Sequence, residues 1–142
     1  MLEKSVTKME IPNYFLVEER IKTFKNWPFS DKNKCNVRNM AEAGFYSVAT
    51  CKDDADAAKC FLCGKELDGW EASDDPWAEH KSHAAKCAFV QIGKKEDDLL
   101  LSEMLSIAKQ YKINEAKRIA EVAKEQIDEK AKLVKRRCLI RK

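Results

Sequence analysis

The chain has 142 residues, 44% apolar and 36% charged, a composition typical of a small folded protein with much solvated helix. A net charge of +3 is too small to indicate a nucleic-acid-binding protein, and no apolar run approaches the length of a membrane span. Six cysteines without a secretory signal favour a reducing compartment, so we expect a protein of the cytoplasm, the nucleus or both.

The N-terminal segment, residues 1–14, begins with interspersed charges and no apolar run, so we expect no signal peptide. A helix is predicted from Asn13 to Thr23, with Asn13 as its N-cap. A second helix is predicted from Asn36 to Ala43, and Gly44 is placed to end it.

Three short strands are predicted next, over Phe45–Val48, Ala58–Phe61 and about Glu66–Asp68. Asp75 then caps a helix whose first residue is Pro76, a position where the missing N–H costs nothing. The fold class is therefore α+β, with a short three-stranded antiparallel sheet among several short helices. We expect residues 15–90 to form this domain.

A change in composition marks the end of this domain. Every proline and glycine lies at or before Gly93, and the 49 residues that follow contain no helix breaker. We therefore predict a linker over 91–98 and one long amphipathic helix over 99–142.

The long helix is predicted to carry an apolar stripe with a spacing of three or four residues. At 1.5 Å per residue it would be about 60 Å long, whereas a domain of this size is only about 25 Å across. Most of the stripe would then need another helix to cover it, unless the helix is a charged single helix without a partner. The positions expected to meet a partner helix are Leu101, Met104, Leu105, Ala108, Ile119, Ala123, Ile127 and Val134.

Charge is unevenly distributed. Residues 64–80 contain six acidic residues and one lysine, and residues 130–142 contain seven Lys or Arg and no acid. One region can attract a cation, whereas the other can attract nucleic acid or an acidic partner, or simply end the helix.

The strongest chemical signal is the pattern Cys60-x2-Cys63-x16-His80-x6-Cys87. A CxxC turn supplies two thiolates to a metal, and residues 80 and 87 are two helical turns apart, so both could face that turn. Three thiolates and one imidazole occupy all four positions of a tetrahedral zinc site, so no position remains for water. The sequence therefore predicts one structural zinc ion and no catalytic residues. Cys35, Cys51 and Cys138 are interpreted as isolated thiols.

Acidic residues crowd around Trp70 beside the third predicted strand. Carboxylates, an aromatic wall and a strand edge together suit a peptide with a free amino terminus. A solvated acidic loop that only caps a helix remains the alternative at this point.

These residues resemble the baculovirus inhibitor-of-apoptosis repeat over about residues 15–90. The motifs that carry the resemblance are Arg20-x2-Thr23-Phe24-x2-Trp27-Pro28, Met40-Ala41-x-Ala43-Gly44-Phe45, Cys60-Phe-Leu-Cys-Gly-Lys-Glu-Leu-Asp-Gly-Trp70 and Asp74-Asp75-Pro76-Trp77-x2-His80-x6-Cys87. A single repeat followed by a long helix, with no RING domain, is similar to the family's chromosomal passenger members.

The resemblance implies a peptide site for a histone tail that begins Ala-Arg-phosphothreonine. Carboxylates would meet the terminal amine, Leu67 and Trp70 would enclose the alanine methyl, and Lys65 with His83 would face the phosphate. The peptide-binding residues expected on this basis are Lys65, Glu66, Leu67, Asp68, Trp70, Asp74 and His83.

The resemblance also implies partners. It suggests a non-enzymatic adaptor of the chromosomal passenger complex whose helix binds borealin and inner centromere protein, and through them Aurora B kinase. The expected sites are centromeres and the spindle midzone in mitosis and cytokinesis, with a homodimer through the linker when those partners are absent. The alternative is an apoptosis regulator that inhibits caspases or binds their alanine-starting antagonists.

Overall fold

The computed structural model describes residues 13–140. Its α-helices and strands are, in chain order, α1 (Val17–Ile21), α2 (Val37–Glu42), β1 (Phe45–Ser47), β2 (Ala58–Cys60), β3 (Glu66–Leu67), α3 (Pro76–His83), α4 (Ala88–Ile92) and α5 (Leu101–Ile140). Within this range, no helix is both long and apolar enough to span a membrane. All but two residues of the predicted segment 1–14, and the last two of the predicted helix 99–142, lie outside the described residues.

The first predicted helix is shorter than expected. Asn13 begins a separate 3-10 turn, Asn13–Phe15, and α1 starts only at Val17, after Leu16 in extended backbone. The cap comes from a distant carboxylate, because Glu96 Oε2 accepts a hydrogen bond from the Val17 amide at 2.6 Å. The prediction of Asn13 as N-cap of a continuous helix was therefore wrong: a tertiary contact replaces the local cap.

The second predicted helix and its cap are confirmed. The Asn36 side chain accepts a hydrogen bond from the Asn39 amide at 2.9 Å, which satisfies one of the free N–H groups of the first turn. After α2, Gly44 has φ +95°, and a Cβ there would lie 3.0 Å from the Phe89 ring. Glycine is thus required both by the backbone conformation and by the close approach of a core aromatic ring.

The three strands form one antiparallel sheet in the order β1-β2-β3. The register pairs Phe45 with Cys60 and Lys59 with Glu66. Among residues 13–140, β3 pairs with β2 alone, which leaves its other edge unpaired within this range. After the sheet, the Asp75 carboxylate accepts hydrogen bonds from the amides of Trp77 and Ala78 at 2.9 and 3.2 Å, which confirms the predicted start of α3 at Pro76.

A buried arginine joins the N-terminal helices to the sheet. Arg20 donates to the Ala41 carbonyl at 2.8 Å and to the Tyr14 carbonyl at 2.8 Å. Its guanidinium lies 4.6 Å from the centre of the Phe61 ring. Burial lowers the pKa of Arg20 to about 10, which still leaves it charged at neutral pH. Arg20 thereby holds Phe61, the residue that follows Cys60, against the core.

The long helix α5 confirms the predicted architecture and packs on the domain only at its start. Ile107 is 1% exposed, and Asn114 Nδ2 donates to the Leu62 carbonyl at 3.0 Å. Residues 116–140 are all exposed. The rest of the helix, more than half of its length, therefore projects beyond the zinc-binding domain.

Candidate zinc centre and peptide-binding groove

Four elements bring the predicted zinc ligands together. Cys60 ends β2, Cys63 lies in the following turn, His80 is on α3, and Cys87 is the N-cap of α4. Their ligand atoms all lie within 4.8 Å of one another. Among residues 13–140 this is the one group of three or more such side chains that converges in this way.

The imidazole of His80 is oriented by the backbone. Its Nδ1 lies 2.8 Å from the Ala43 carbonyl oxygen, and because that oxygen can only accept, Nδ1 carries the proton. Nε2 is then free to bind a metal, and it lies 3.6 Å from Cys63 Sγ. A backbone carbonyl that fixes the tautomer in this way is the usual outer support of a zinc-binding histidine.

The charges of the cluster favour a bound cation. Burial raises the pKa of the Cys60 thiol well above its ordinary value, and the neighbouring thiols of Cys63 and Cys87 raise it further. For His80, burial lowers the pKa, but hydrogen bonds to Cys63 and Cys87 outweigh it and raise the pKa to about 9. Three adjacent thiolates in a buried site are stable only with positive charge among them.

The donor set fits zinc. Three thiolates and one neutral imidazole are the ligands of a Cys3His structural site. They fill all four positions around the metal, so none remains for a reacting water. The four groups can therefore hold one zinc ion that stabilises the fold. The remaining cysteines lie apart from the cluster. Cys35 is buried, which raises its pKa to about 12, whereas Cys51 and Cys138 are exposed.

A shallow groove lies beside the end of β3. It encloses about 170 Å³ and is called the acidic groove below. Its lining residues are Leu67, Asp68, Gly69, Trp70, Asp74, Glu79 and His83. Five of the seven predicted peptide-binding residues thus line one concavity.

The apolar wall of the acidic groove is fixed by the core. Trp70 is buried, its ring centre lies 5.4 Å from that of Phe45, and its indole N–H donates to the Leu67 carbonyl at 3.3 Å. The loop before it is held by Asp56, whose carboxylate accepts from the amides of Gly69 and Trp70 at 2.8 and 3.1 Å. The wall is therefore formed before any ligand arrives.

The polar rim is acidic, with one histidine. Asp74 accepts a hydrogen bond from the Glu71 amide at 2.8 Å, which orients its carboxylate. On α3, His83 Nε2 lies 3.5 Å from Glu79 Oε2, and the His83 side chain is 50% exposed. Glu79 was not among the predicted peptide-binding residues. Its spacing of four residues from His83 places both on one face of α3, and this signal was available in the sequence.

Two predicted peptide-binding residues lie outside the acidic groove. The side chain of Glu66 forms an ion pair with Lys59, with Nζ 3.1 Å from Oε1. Lys65 lines a separate groove beside Cys63, together with Gly64 and Lys86. Lys65 and His83 therefore do not line the same concavity, and a shared role in binding phosphate stays a prediction.

The predicted partner face of α5 is mostly exposed. Leu101, Leu105, Ile119, Ile127 and Val134 are exposed large apolar residues, and Ala123 is also exposed. Met104 and Ala108 are partly buried. The most buried residue of the helix is Ile107, which the predicted stripe did not include.

Comparison with known proteins identifies the family. Residues 20–91 match the family described as "BIR: Inhibitor of Apoptosis domain". The chain is 40% identical over 121 residues to baculoviral IAP repeat-containing protein 5 of Cavia porcellus, covering 85% of this chain and 84% of that protein. It is 46% identical over 96 residues to the protein of the same name in Rattus norvegicus, covering 68% and 67%.

A solved structure, DIAP1 BIR1 bound to a Grim peptide, is 33% identical, with a TM-score of 0.46 over 55% of this chain and 73% of that chain. The matched profile covers every zinc ligand and the whole acidic groove. The sequence similarity to the relatives extends over most of the chain. The chain therefore belongs to the inhibitor-of-apoptosis (BIR) family and is similar along most of its length to the survivins, the baculoviral IAP repeat-containing proteins 5.

Proposed function

We propose that the chain is a non-enzymatic adaptor of the chromosomal passenger complex that binds the N-terminal tail of a histone beginning Ala-Arg-phosphothreonine. The observation that carries this proposal is the acidic groove, which combines a preformed apolar wall, a rim of carboxylates and a free strand edge. Membership of the family and similarity to survivins support it.

The terminal amine of such a tail would lie among the carboxylates of the acidic groove. Asp68, Asp74 and Glu79 supply negative charge there, and charge-assisted hydrogen bonds to an ammonium group are stronger than neutral ones. The alanine methyl is small enough to lie against Leu67 and Trp70. The backbone of the tail would extend the sheet by pairing with the free edge of β3.

The phosphate would lie at His83. This imidazole is half exposed and is already close to Glu79, so a phosphate could replace that carboxylate as its partner. Lys65, on the neighbouring groove, would act at longer range as a positive charge near the path of the peptide.

The exposed stripe of α5 would bind the other subunits. Five large apolar residues of the predicted partner face, from Leu101 to Val134, remain exposed on a helix about 60 Å long. Pairing with helices of borealin and inner centromere protein would bury them and recruit Aurora B kinase. Without these partners, we propose a homodimer through the linker over 91–98 and the start of α5.

Localisation follows from these contacts as part of the proposal. The protein would be distributed between cytoplasm and nucleus, would reach centromeres through the phosphorylated tail in mitosis, and would accompany its partners to the spindle midzone in cytokinesis.

Calorimetric titration of the zinc-loaded protein tests the peptide half of the proposal. The ligands are the Ala-Arg-Thr tail with and without phosphate, and an Ala-Val-Pro peptide of the caspase-antagonist type. We expect the phosphorylated tail to bind best, and Asp74→Ala and His83→Ala to weaken that binding. Asp53→Ala, in an exposed loop away from the groove, is the control and should change nothing.

The alternative function uses the same groove, because any peptide that begins with alanine presents the same amine and methyl group. A preference for Ala-Val-Pro that His83→Ala does not change would contradict histone reading and favour a role in apoptosis control.

Reconstitution tests the helix half independently. Residues 97–142 mixed with the helices of borealin and inner centromere protein should give a stable ternary complex in sedimentation experiments, and Ile119→Lys with Ile127→Lys should abolish it. No association of the unmodified segment would contradict this part of the proposal.

A further inference from the structure

The four zinc ligands differ sharply in their access to solvent. His80, Cys60 and Cys87 are buried, at 0%, 1% and 5% exposed, whereas Cys63 is the least buried of the four, exposed as a residue and part-buried at its contact with His80. A bound metal keeps its cysteine ligands as thiolates, the nucleophilic form of the side chain. With a metal bound, Cys63 would therefore be the ligand thiolate that solutes reach most readily.

Two grooves meet at Cys63. One, of about 560 Å³, is also lined by Arg118, Glu115 and the buried Cys60. The other, of about 670 Å³, is also lined by Lys65, Lys86 and the buried Cys87. Both are far larger than a peroxide molecule. Small reagents can thus approach this sulfur from two sides, and the positive side chains on the rims would stabilise a hydroxide ion that leaves.

One of the buried sulfurs is further protected by a hydrogen bond. Cys60 Sγ accepts from the Leu62 amide at 3.4 Å. Among the hydrogen bonds of residues 13–140, no backbone amide donates to Cys63 Sγ, which lies 3.6 Å from His80 Nε2. Amide donors withdraw charge from a thiolate, so Cys63 keeps a more reactive electron pair than Cys60.

We propose that Cys63 is an oxidative modification site, at which a peroxide converts the zinc centre to a disulfide and releases the metal. The Cys63 thiolate attacks one peroxide oxygen, the O–O bond breaks, and a sulfenic acid and hydroxide form. The thiolate of Cys60 or Cys87, within 4.8 Å, then attacks the sulfenic sulfur and displaces a second hydroxide. Two sulfurs lose two electrons in total, the peroxide gains them, and Zn²⁺ leaves without a change in oxidation state.

The release of zinc would disable the domain. The metal joins β2, α3 and α4, and a core this small depends on it for stability. The acidic groove is built on β3 and α3, so its geometry would be lost as well. Oxidation at one exposed sulfur would therefore control the entire domain.

The experiment uses the full chain, loaded with zinc, in which Cys51→Ser and Cys138→Ser remove the two exposed thiols outside the centre. Substoichiometric hydrogen peroxide is added with a sulfenic-acid trap, released zinc is followed with a chromogenic chelator, and mass spectrometry maps each cysteine. Buried Cys35 is an internal control, since it is a thiol without a metal.

We expect Cys63 to carry trap at least about tenfold more than Cys60, Cys87 or Cys35. Without the trap, a disulfide that includes Cys63 should form in step with zinc release. Equal labelling of the three ligands, first labelling at a buried one, zinc release without reaction at Cys63, or retention of zinc after oxidation would each overturn the proposal. Because no ligand is mutated, failure to fold cannot imitate these results.

Discussion

Individual side chains that cap helices determine the positions of the functional residues. Asp75 caps α3, which carries both the zinc ligand His80 and the groove residue His83. Glu103 has a similar role at the start of α5, where its carboxylate accepts from the Leu100 amide at 2.9 Å and from Lys94 Nζ at 2.8 Å. These contacts are local in sequence, and each can be tested by one substitution.

Asp75→Ala should lower the free energy of unfolding of the zinc-loaded protein by about 1 kcal/mol, because two N–H groups of the first turn lose their acceptor. Urea unfolding followed by tryptophan fluorescence measures the change. Asp53→Ala, which removes an exposed carboxylate without a capping role, is the control. Equal stability of the two variants would show that the cap contributes nothing.

The carboxyl group of Glu103 should titrate below its ordinary range. The hydrogen bond from Lys94 lowers its pKa first, and the Leu100 amide lowers it further. A depressed pKa in the folded state contributes stability above the unfolded pKa, and this contribution is lost as pH falls through the folded value. In an NMR titration, Lys94→Ala should move the Glu103 midpoint up towards 4.5, the ordinary value. An unchanged midpoint would exclude the ion pair as the cause.

The four zinc ligands were predictable from the sequence because metal geometry restricts residue type and spacing. The caps Asn36 and Asp75 were predictable because each bonds within three residues. The cap of α1 was not, since Glu96 lies 79 residues from Val17 and only the folded chain brings them together. The separation of Lys65 from His83 likewise depends on the folded chain, in which the turn before β3 and the end of α3 line different grooves.

At the scale of elements, α5 has two distinct faces. One face packs on the domain through Ile107 and Asn114, and the other carries the exposed apolar side chains. Periodicity predicted the helix and most of its exposed stripe, but it did not single out Ile107, because all apolar positions with helical spacing look alike in sequence. Contact with the domain decides which of them is buried.

Ile107→Ala should lower the free energy of unfolding by about 2–5 kcal/mol, as expected for a cavity at a buried position. Ile127→Ala, at a residue 67% exposed, removes the same atoms and should change stability by no more than about 0.5 kcal/mol. Thermal or urea unfolding at low protein concentration compares the two. Similar losses would mean that α5 does not dock as described.

At the scale of the whole molecule, the surfaces proposed for peptide binding and for assembly are separated along the chain. The acidic groove lies in the zinc-binding domain, and the exposed stripe lies mainly on the part of α5 that projects beyond it. The charges follow the same division, with acidic residues at 64–80 and basic residues at 130–142. A cationic histone tail and helical partners could therefore be bound together without competing for one surface.

Recognition of a free amino terminus by the acidic groove is the step on which the proposed function depends. The direct measurement is calorimetric titration of the zinc-loaded protein with the phosphorylated Ala-Arg-Thr tail, with its amine either free or acetylated. We predict that acetylation weakens binding by at least about tenfold, since it removes a charged donor. Asp74→Asn should weaken binding of the free tail while retaining the acceptor for the Glu71 amide. Equal binding of the acetylated and free tails would contradict the account.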